Sequence, residues 1–405
     1  MKPGVNVYSE IGKLNRVFLH RLGKELEGLV PDNFERLLFD DIPYLDAAQY
    51  EHDCFADVLR ENEVEVLYFS DQVAIALEDQ SVRKDFIKEF IVESDINSAH
   101  VSEVIFDHLK DMPVKELIDN MISGVKKSDL SIKVASSLSD LVSESYPYYT
   151  DPLPNLYFTR DPGACIGNGL NVHCMSTKAR KREALFMKYM HKYNKSFMPE
   201  GTPLWYEYKG PNYIEGGDIL VISPEVVAVG FSQRTSAEAI EIMAENLLKY
   251  SNSFKKVLVF EIPKCRAFMH LDTVFTMVDY DKFTIHPEIE APLNIFEVVL
   301  DKDGHPHFKS STDILTNILK RELKLPAVQL IRCGGDDKIA AQREQWSDGS
   351  NTLAIAPGVV ITYDRNYVTN ELLEKNGVKV LTIPSSELSR GRGGPRCMSM
   401  PINRD

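Results

Sequence analysis

The sequence predicts an α/β fold in which modules of strand, turn, strand, helix and strand repeat around a common axis, interrupted by an all-helical insertion. Three observations predict it. A helix-like stretch runs repeatedly into a short β-branched or aromatic strand, as in YEHDCFADVLRENEVEVLYF, SAEAIEIMAENLLKYSNSFKKVLVFEIP and TNELLEKNGVKVLTIP. Two of these units also match upstream of the helix: GGDILVISPEVVAVGFSQRTSAEAI lies over GSNTLAIAPGVVITYDRNYVTNELL. Finally, no glycine occurs between Gly28 and Gly124, and from Asp71 to Asp140 the apolar period is helical.

Taken in chain order, YEHDCFADVLRENEVEVLYF supplies the first helix and strand. The insertion follows. Val101, Val104, Ile105 and Leu109 share one helical face, as do Val114, Leu117, Ile118, Met121 and Ile122, and Pro113 stands where a helix starts. These stripes read as packing faces. KREALFMKYMHKYNKSFMPEGTPLWYEY is a less regular helix and strand. In the two matched units the strands flank turns built on Pro224 and Pro357, and Arg234 or Arg365 precedes the helix. MHLDTVFTMVDYDKFTIHP repeats the strand, Asp-containing turn and strand. Gly377 is placed to cap the last helix. Residues 1–70 and 141–405 therefore form the α/β domain and 71–140 the helical insertion.

The chain has 405 residues and a net charge of −14. That charge argues against nucleic acid and anionic membrane surfaces, which need clustered Lys and Arg, and suits a cationic small molecule. The opening MKPGVNVYSEIGKL has no apolar leader segment, and no apolar run has membrane-spanning length. The six cysteines are scattered, without CxxC spacing, as in reduced thiols of the cytoplasm. His305 and His307 in DGHPHF read as a surface turn, so neither metal nor cofactor is expected.

Four segments carry chemistry-bearing residues. NLYFTRDPG offers Asn155, Phe158, Arg160 and Asp161; YIEGGDILVI offers Glu215 and Asp218; FMHLDTVFT offers His270 and Asp272; SRGRGGPRCMSMP offers Arg392 and Cys397. Each residue alone has a plainer reading: a turn for Asp161, a loop for Glu215, a core position for His270, an inert thiol for Cys397. Together they suggest a site. His270 and Asp272 alternate along a strand and so share a face. In a repeat about an axis, equivalent element ends converge there. A thiolate is a nucleophile, a histidine moves protons, and paired carboxylates hold a guanidinium by bidentate hydrogen bonds. The set points to attack on a guanidinium carbon, with nearby positive charge favouring the thiolate. The other five cysteines read as packing residues.

FTRDP, EGGD, MHLDTVFT, EQWSDGSNTLAIAPG and GRGGPRCMSMP, in this order, closely resemble the bacterial arginine deiminases, members of the guanidino-group modifying enzymes or penteins. The resemblance runs from LNRVFLHRLG to the C-terminus. It implies five ββαβ modules about a pseudo-five-fold axis, with an inserted helical bundle. It implies hydrolysis of L-arginine to L-citrulline and ammonia without cofactor or metal, in a homo-oligomer (dimer or tetramer). By resemblance Cys397 is the nucleophile, His270 the general acid and base, Glu215 its holder, and Asp161 and Asp272 the guanidinium clamp. Arg180 and Arg234 are the partners of the substrate carboxylate, with Arg182 two residues from Arg180 in the same basic run. Asn155 and Phe158 line the pocket, and Gly391 and Arg392 belong to a mobile covering loop. Arg396 stands where the family often has another residue, and no role is carried over to it.

An amidinotransferase would use the same Cys/His pair and pass the amidino group to an amine. A cysteine peptidase leaves the paired aspartates unexplained, and the papain order of Cys before His is reversed here. A non-catalytic arginine-binding protein has no use for Cys397 and His270.

Overall fold

The computed structural model describes residues 4–96, 98–130, 146–207, 210–290, 293–311 and 313–405. Five sheets organise these residues, and each contains the same unit: an antiparallel strand pair, then a third strand parallel to the second. A helix makes each parallel crossover, because parallel neighbours need a long connection. In the first sheet Leu14–Leu19 lies between Met400–Arg404, antiparallel, and Glu65–Tyr68, parallel, and the helix Leu45–Glu61 crosses over. The second sheet has Gly163–Ile166, Gly169–Val172 and Leu204–Tyr206 with helix Lys181–Tyr193. The third has Ile219–Ser223, Val226–Phe231 and Lys256–Glu261 with helix Ala237–Tyr250. The fourth has Phe275–Met277, Lys282–Ile285 and Gln329–Arg332 with helix Leu315–Leu323. The fifth has Leu353–Ala356, Val359–Tyr363 and Lys379–Ile383 with helix Tyr367–Lys375, after which Gly377 takes φ +79°.

The repeat expected from the matched sequences is thus present. The strands ILVIS and VVAVGF are buried along nearly their whole length, as sheets covered on both faces require. One element was not separated in the sequence. A hairpin of Ile295–Leu300 and Pro306–Ser311 extends the third sheet to five strands. DGHPHF spans the end of its turn and the start of its second strand, which begins at Pro306, and His305 and His307 are exposed.

Within 71–140 the described residues form the helix ends and helices Phe69–Ala76, Gln80–Glu93, Ala99–Leu109 and Val114–Ser123; residues 131–140 lie outside the described residues. Val101, Ile105, Leu109, Leu117, Ile118, Met121 and Ile122 are buried, while Val104 and Val114 are partly so. Pro113 precedes the last helix. These faces join the same apolar cluster as Phe186 and Met190 of the second sheet's helix.

Two expectations are corrected. His270 and Asp272 do not alternate along a strand. Leu271–Thr273 is a single 3-10 turn entered from His270, and the strand begins only at Phe275. The turn aims His270 and Asp272 at different partners. Cys265 is exposed, so it is not a packing residue; Cys165, Cys174 and Cys333 are buried.

Candidate active site

Residues far apart in the chain meet at one small buried cavity lined by Asn155, Phe158, Asp161, Arg180, Arg234, His270, Gly391, Arg392 and Cys397, together with Leu38, Met269 and Thr273. Cys397 arrives on the loop that feeds the strand Met400–Arg404. Antiparallel pairing of that strand with Leu14–Leu19 brings the C-terminal segment beside the N-terminal one. Gly391 and Gly393 are pressed against Tyr157 and Phe158, where a Cβ would overlap the rings. Asn351 fixes the Cys397 backbone: its Oδ1 accepts from the Cys397 N–H at 3.0 Å, and its Nδ2 donates to the Asp272 carbonyl at 3.1 Å.

His270 Nε2 lies 2.9 Å from Glu215 Oε2, and Nδ1 lies 3.9 Å from Asp161 Oδ1. The EGGD glycines make this approach possible. A Cβ on Gly217 would sit 2.5 Å from His270 Nδ1, and one on Gly216 would strike the Arg160 carbonyl. Asp218, the last residue of that motif, anchors the turn from beneath. It accepts from Ser232 and Thr235 hydroxyls at 2.6 Å and from the Leu271 N–H at 2.8 Å.

The two clamp candidates already hold arginines of the protein itself. Asp161 Oδ2 accepts from Arg180 Nη1 at 2.8 Å, and Asp272 Oδ2 from Arg396 Nη1 at 2.7 Å. In both, the other oxygen, Oδ1, is buried without a hydrogen-bond partner among the described residues. Each carboxylate is thus half-satisfied, with acceptor capacity left for a cationic donor. Cys397 Sγ lies 3.8 Å from Asp272 Oδ2.

Arg180, and not Arg182, reaches this cavity. Arg180 is bidentate to Glu183, and its Nη1 lies 3.8 Å from Glu215. Arg182 instead stacks over Phe90 at 5.0 Å. Arg234 Nη1 lies 3.7 Å from Glu215. Asn155 donates its amide to the Leu37 carbonyl at 2.7 Å, which holds it at the wall. Glu183 and Asn351 were not singled out in the sequence, and Asp218 was, though not as an anchor. Only the spacing of Glu183 after Arg180, one helical turn, carries a signal.

The electrostatics correct one expectation. Burial, then Asp272, Asp161 and Asp348, push the Cys397 thiol well above its ordinary value, and Arg396 opposes them only in part. The arginines of SRGRGGPR do not gather at the sulfur. Arg390 pairs with Asp41 and Glu387, Arg392 stacks on Trp346, and Arg396 is shared between Asp272 and Glu10. These surroundings favour the thiol over the thiolate at Cys397. Burial works against a charged His270, but Asp161, Glu215 and Asp218 overcome it and raise the ring to about 9. Burial likewise works against ionised Glu215, yet Arg234, His270 and Arg180 hold it well below the carboxylate range. Both directions favour imidazolium paired with carboxylate. Asp161, Glu215 and His270 also bring one ligand atom each within 4.8 Å of one another, the spacing of a cation site. Arg180 and Arg234 already place positive charge beside them.

Solved structures share this architecture. A dimethylarginine dimethylaminohydrolase from Pseudomonas aeruginosa is 15% identical, with 96% of this chain and 99% of that chain covered and a TM-score of 0.54. An amidinotransferase from Microseira wollei is 14% identical, with 99% and 97% covered and a TM-score of 0.54. At such identities the likeness defines the fold class, and that class is the pentein fold. Sequence similarity goes further. The arginine deiminase family model matches residues 35–404. The arginine deiminase of Bacillus cereus (strain B4264) is 52% identical over 411 residues, covering 100% of this chain and 99% of that protein. That of Clostridium perfringens (strain SM101 / Type A) is 52% identical over 406 residues, covering 99% and 98%. The chain belongs to the arginine deiminase family.

Proposed function

We propose that the protein hydrolyses L-arginine to L-citrulline and ammonia, with Cys397 as nucleophile and His270 as general acid and base. One observation carries the site assignment: the Cys397 thiol, the His270 ring and the Asp161 carboxylate line one cavity, Asp272 lies 3.8 Å from the thiol, and each carboxylate has one buried oxygen without a hydrogen-bond partner among the described residues. The free oxygens of Asp161 and Asp272 receive the substrate guanidinium, while Arg180 and Arg234 receive its carboxylate, and Asn155 and Phe158 form the wall.

The cation has a second effect. Asp161 and Asp272 are two of the charges that keep Cys397 protonated. A guanidinium bound between them offsets that repulsion, so substrate itself favours the thiolate, whose proton is lost to the medium. The thiolate then attacks the guanidinium carbon. His270, charged in the empty enzyme, gives its proton to one nitrogen, and ammonia leaves. A cationic S-alkylthiouronium remains on Cys397. The now neutral His270 takes a proton from water as the water attacks the same carbon. Expulsion of the thiolate releases citrulline, and the proton bound to the product oxygen is lost to the medium or to the sulfur. Two moderate barriers replace one displacement at a resonance-stabilised carbon.

The five ββαβ sheets are read as five blades about a pseudo-five-fold axis, formed by residues 1–70 and 141–405, with 71–140 as the inserted helical domain. The protein acts as a cytoplasmic homo-oligomer (dimer or tetramer) without cofactor. Among the described residues no helix is long and apolar enough to cross a membrane.

The test is to measure citrulline and ammonia from arginine and from agmatine, with a Cys397→Ser control. Agmatine lacks the carboxylate and leaves Arg180 and Arg234 without their partner, a loss on the order of a thousandfold in kcat/KM. Ammonia from arginine alone distinguishes hydrolysis from amidino transfer. Near wild-type citrulline production by Cys397→Ser, or equal use of agmatine, sinks this reading.

A further inference from the structure

Arg160 stands next to Asp161 in FTRDP, yet the lining of the cavity does not include it and no step of the reaction uses it. Its contacts lie on the segment that carries the thiol. The Arg160 N–H donates to the Cys397 carbonyl at 3.2 Å, and its Nε donates to the Arg396 carbonyl at 3.3 Å. The neighbouring Thr159 hydroxyl lies 3.1 Å from the Met398 carbonyl and 2.9 Å from the Phe18 carbonyl, so its one proton is shared between the Cys397 segment and the first strand. Thr159 and Arg160 thus hold three consecutive carbonyls, those of Arg396, Cys397 and Met398. Asn351 holds the Cys397 N–H from the other side.

The holding segment is itself fixed from behind. The Asp161 carbonyl accepts from the Gly216 N–H at 3.2 Å and from His173 Nδ1 at 2.6 Å. A carbonyl only accepts, so Nδ1 carries the His173 proton. A Cβ on Gly216 would lie 2.0 Å from the Arg160 carbonyl, so the EGGD turn and this segment are in close contact. Arg160 is buried, and its Nη2 has no hydrogen-bond partner among the described residues. A guanidinium left partly unsatisfied inside a protein costs stability, so a stabilising role does not account for it. We infer that Arg160 is a positioning residue of this reaction: with the Thr159 hydroxyl, it fixes the backbone of residues 396–398 and so sets where the Cys397 thiol stands relative to the guanidinium held by Asp161. This rests on the function proposed above. Because Thr159, Arg160 and Asp161 are consecutive, one stretch of backbone carries both the substrate clamp and the hold on the thiol. Misplacing a reacting atom by about 1 Å can lose on the order of a hundredfold in rate.

The experiment compares Arg160→Met, Arg160→Lys and Thr159→Val with wild type. Methionine keeps an unbranched stem and removes the side-chain donor, lysine keeps a donor and the charge, and valine keeps the shape of threonine without its hydroxyl. Arg160→Met should lower the single-turnover rate of citrulline formation ~10- to 100-fold. Thr159→Val should lower it by less, and Arg160→Lys should recover part of the Arg160→Met loss. In Cys397→Ser protein, the arginine affinity measured by calorimetry should stay within ~2-fold when Arg160→Met is added, because no group that binds substrate is removed. Unfolding midpoints are measured alongside, and rates are taken per mole of folded protein. If Arg160→Met does not fold, Arg160→Lys and Thr159→Val decide by the same split of rate from affinity. A lowered unfolding midpoint with an unchanged rate assigns these contacts to stability and overturns the inference. A loss of arginine affinity that accounts for the loss of rate overturns it too, since it places Arg160 on the substrate. Failure of the wild-type protein to form citrulline overturns the proposed function instead, and so separates the two failures.

Discussion

Cys397 stands beside more negative than positive charge, and this decides how it behaves. Its thiol is held well above the ordinary value by burial, Asp272, Asp161 and Asp348. The expected outcome in the empty enzyme is no thiolate absorbance at Cys397 below pH ~9, taken as the difference from Cys397→Ser. Adding a guanidinium ligand should bring the absorbance in at lower pH. A thiolate already present at pH 7 without ligand contradicts the electrostatic assignment. His270 has the opposite sign. Its folded value of about 9 exceeds the ordinary 6.5. The stability it contributes is therefore complete below pH 6.5 and is lost as pH rises through 9. Glu215→Gln removes a charge that supports the imidazolium, so the His270 titration should fall toward 6.5, and the alkaline limb of activity should move with it. NMR titration of the ring measures the first effect, and a pH–rate profile the second.

Among the short elements, the turns rather than the strands or helices set the site. EGGD ends in the 3-10 turn Gly216–Asp218, and MHLDT becomes the 3-10 turn Leu271–Thr273. The two turns are joined by the Asp218 bond to the Leu271 N–H. Side chains are aimed by these turns and their anchors, which is why a strand-face argument for His270 and Asp272 failed although His270 lines the cavity and Asp272 lies 3.8 Å from Cys397 Sγ. Gly217 is where the two turns touch. Gly217→Ala places a methyl against the His270 ring. A cost of about 1–3 kcal/mol in stability follows from overpacking, and kcat should fall by more than that cost explains, because the ring is displaced from Glu215. Unfolding midpoint and kcat measured together check this. If kcat holds while stability falls, the ring is not positioned by this contact.

At the scale of the whole molecule, the first and last strands meet beside the Cys397 loop. Arg404 is buried in the last strand and donates to the Gly12 and Ala354 carbonyls at 2.8 Å. Glu10 accepts from the Val221 N–H and pairs with Arg396, next to Cys397. First strand, last strand and the Cys397 loop are thus one packed unit. Arg404→Ala leaves two carbonyls unpaired and Glu10 short of a counter-charge, a loss of roughly 2–4 kcal/mol. Denaturant unfolding measures it, and a change under 0.5 kcal/mol, the ~0.5 kcal/mol typical of surface sites, rules out this closure as a stabilising device.

The sequence by itself determined the repeat and the chemistry. Period-3.6 and short β-branched segments are local, so the helical faces of 99–123 and the two matched units were readable, and so were the residues of FTRDP, EGGD, MHLDT and RCMSMP. The hairpin 295–311 was not, because which sheet a hairpin joins is a long-range choice. Tertiary structure alone decided the state of the site. Arg396 lies 386 residues from Glu10 and 124 from Asp272, and Asp161 lies 19 from Arg180. Charge on a buried group follows from distance and desolvation, and no spacing along the chain encodes either. The same arginines that look from the sequence like neighbours of a thiolate are, once folded, spent on carboxylates and an indole, and the thiol beside them waits for a cation from outside.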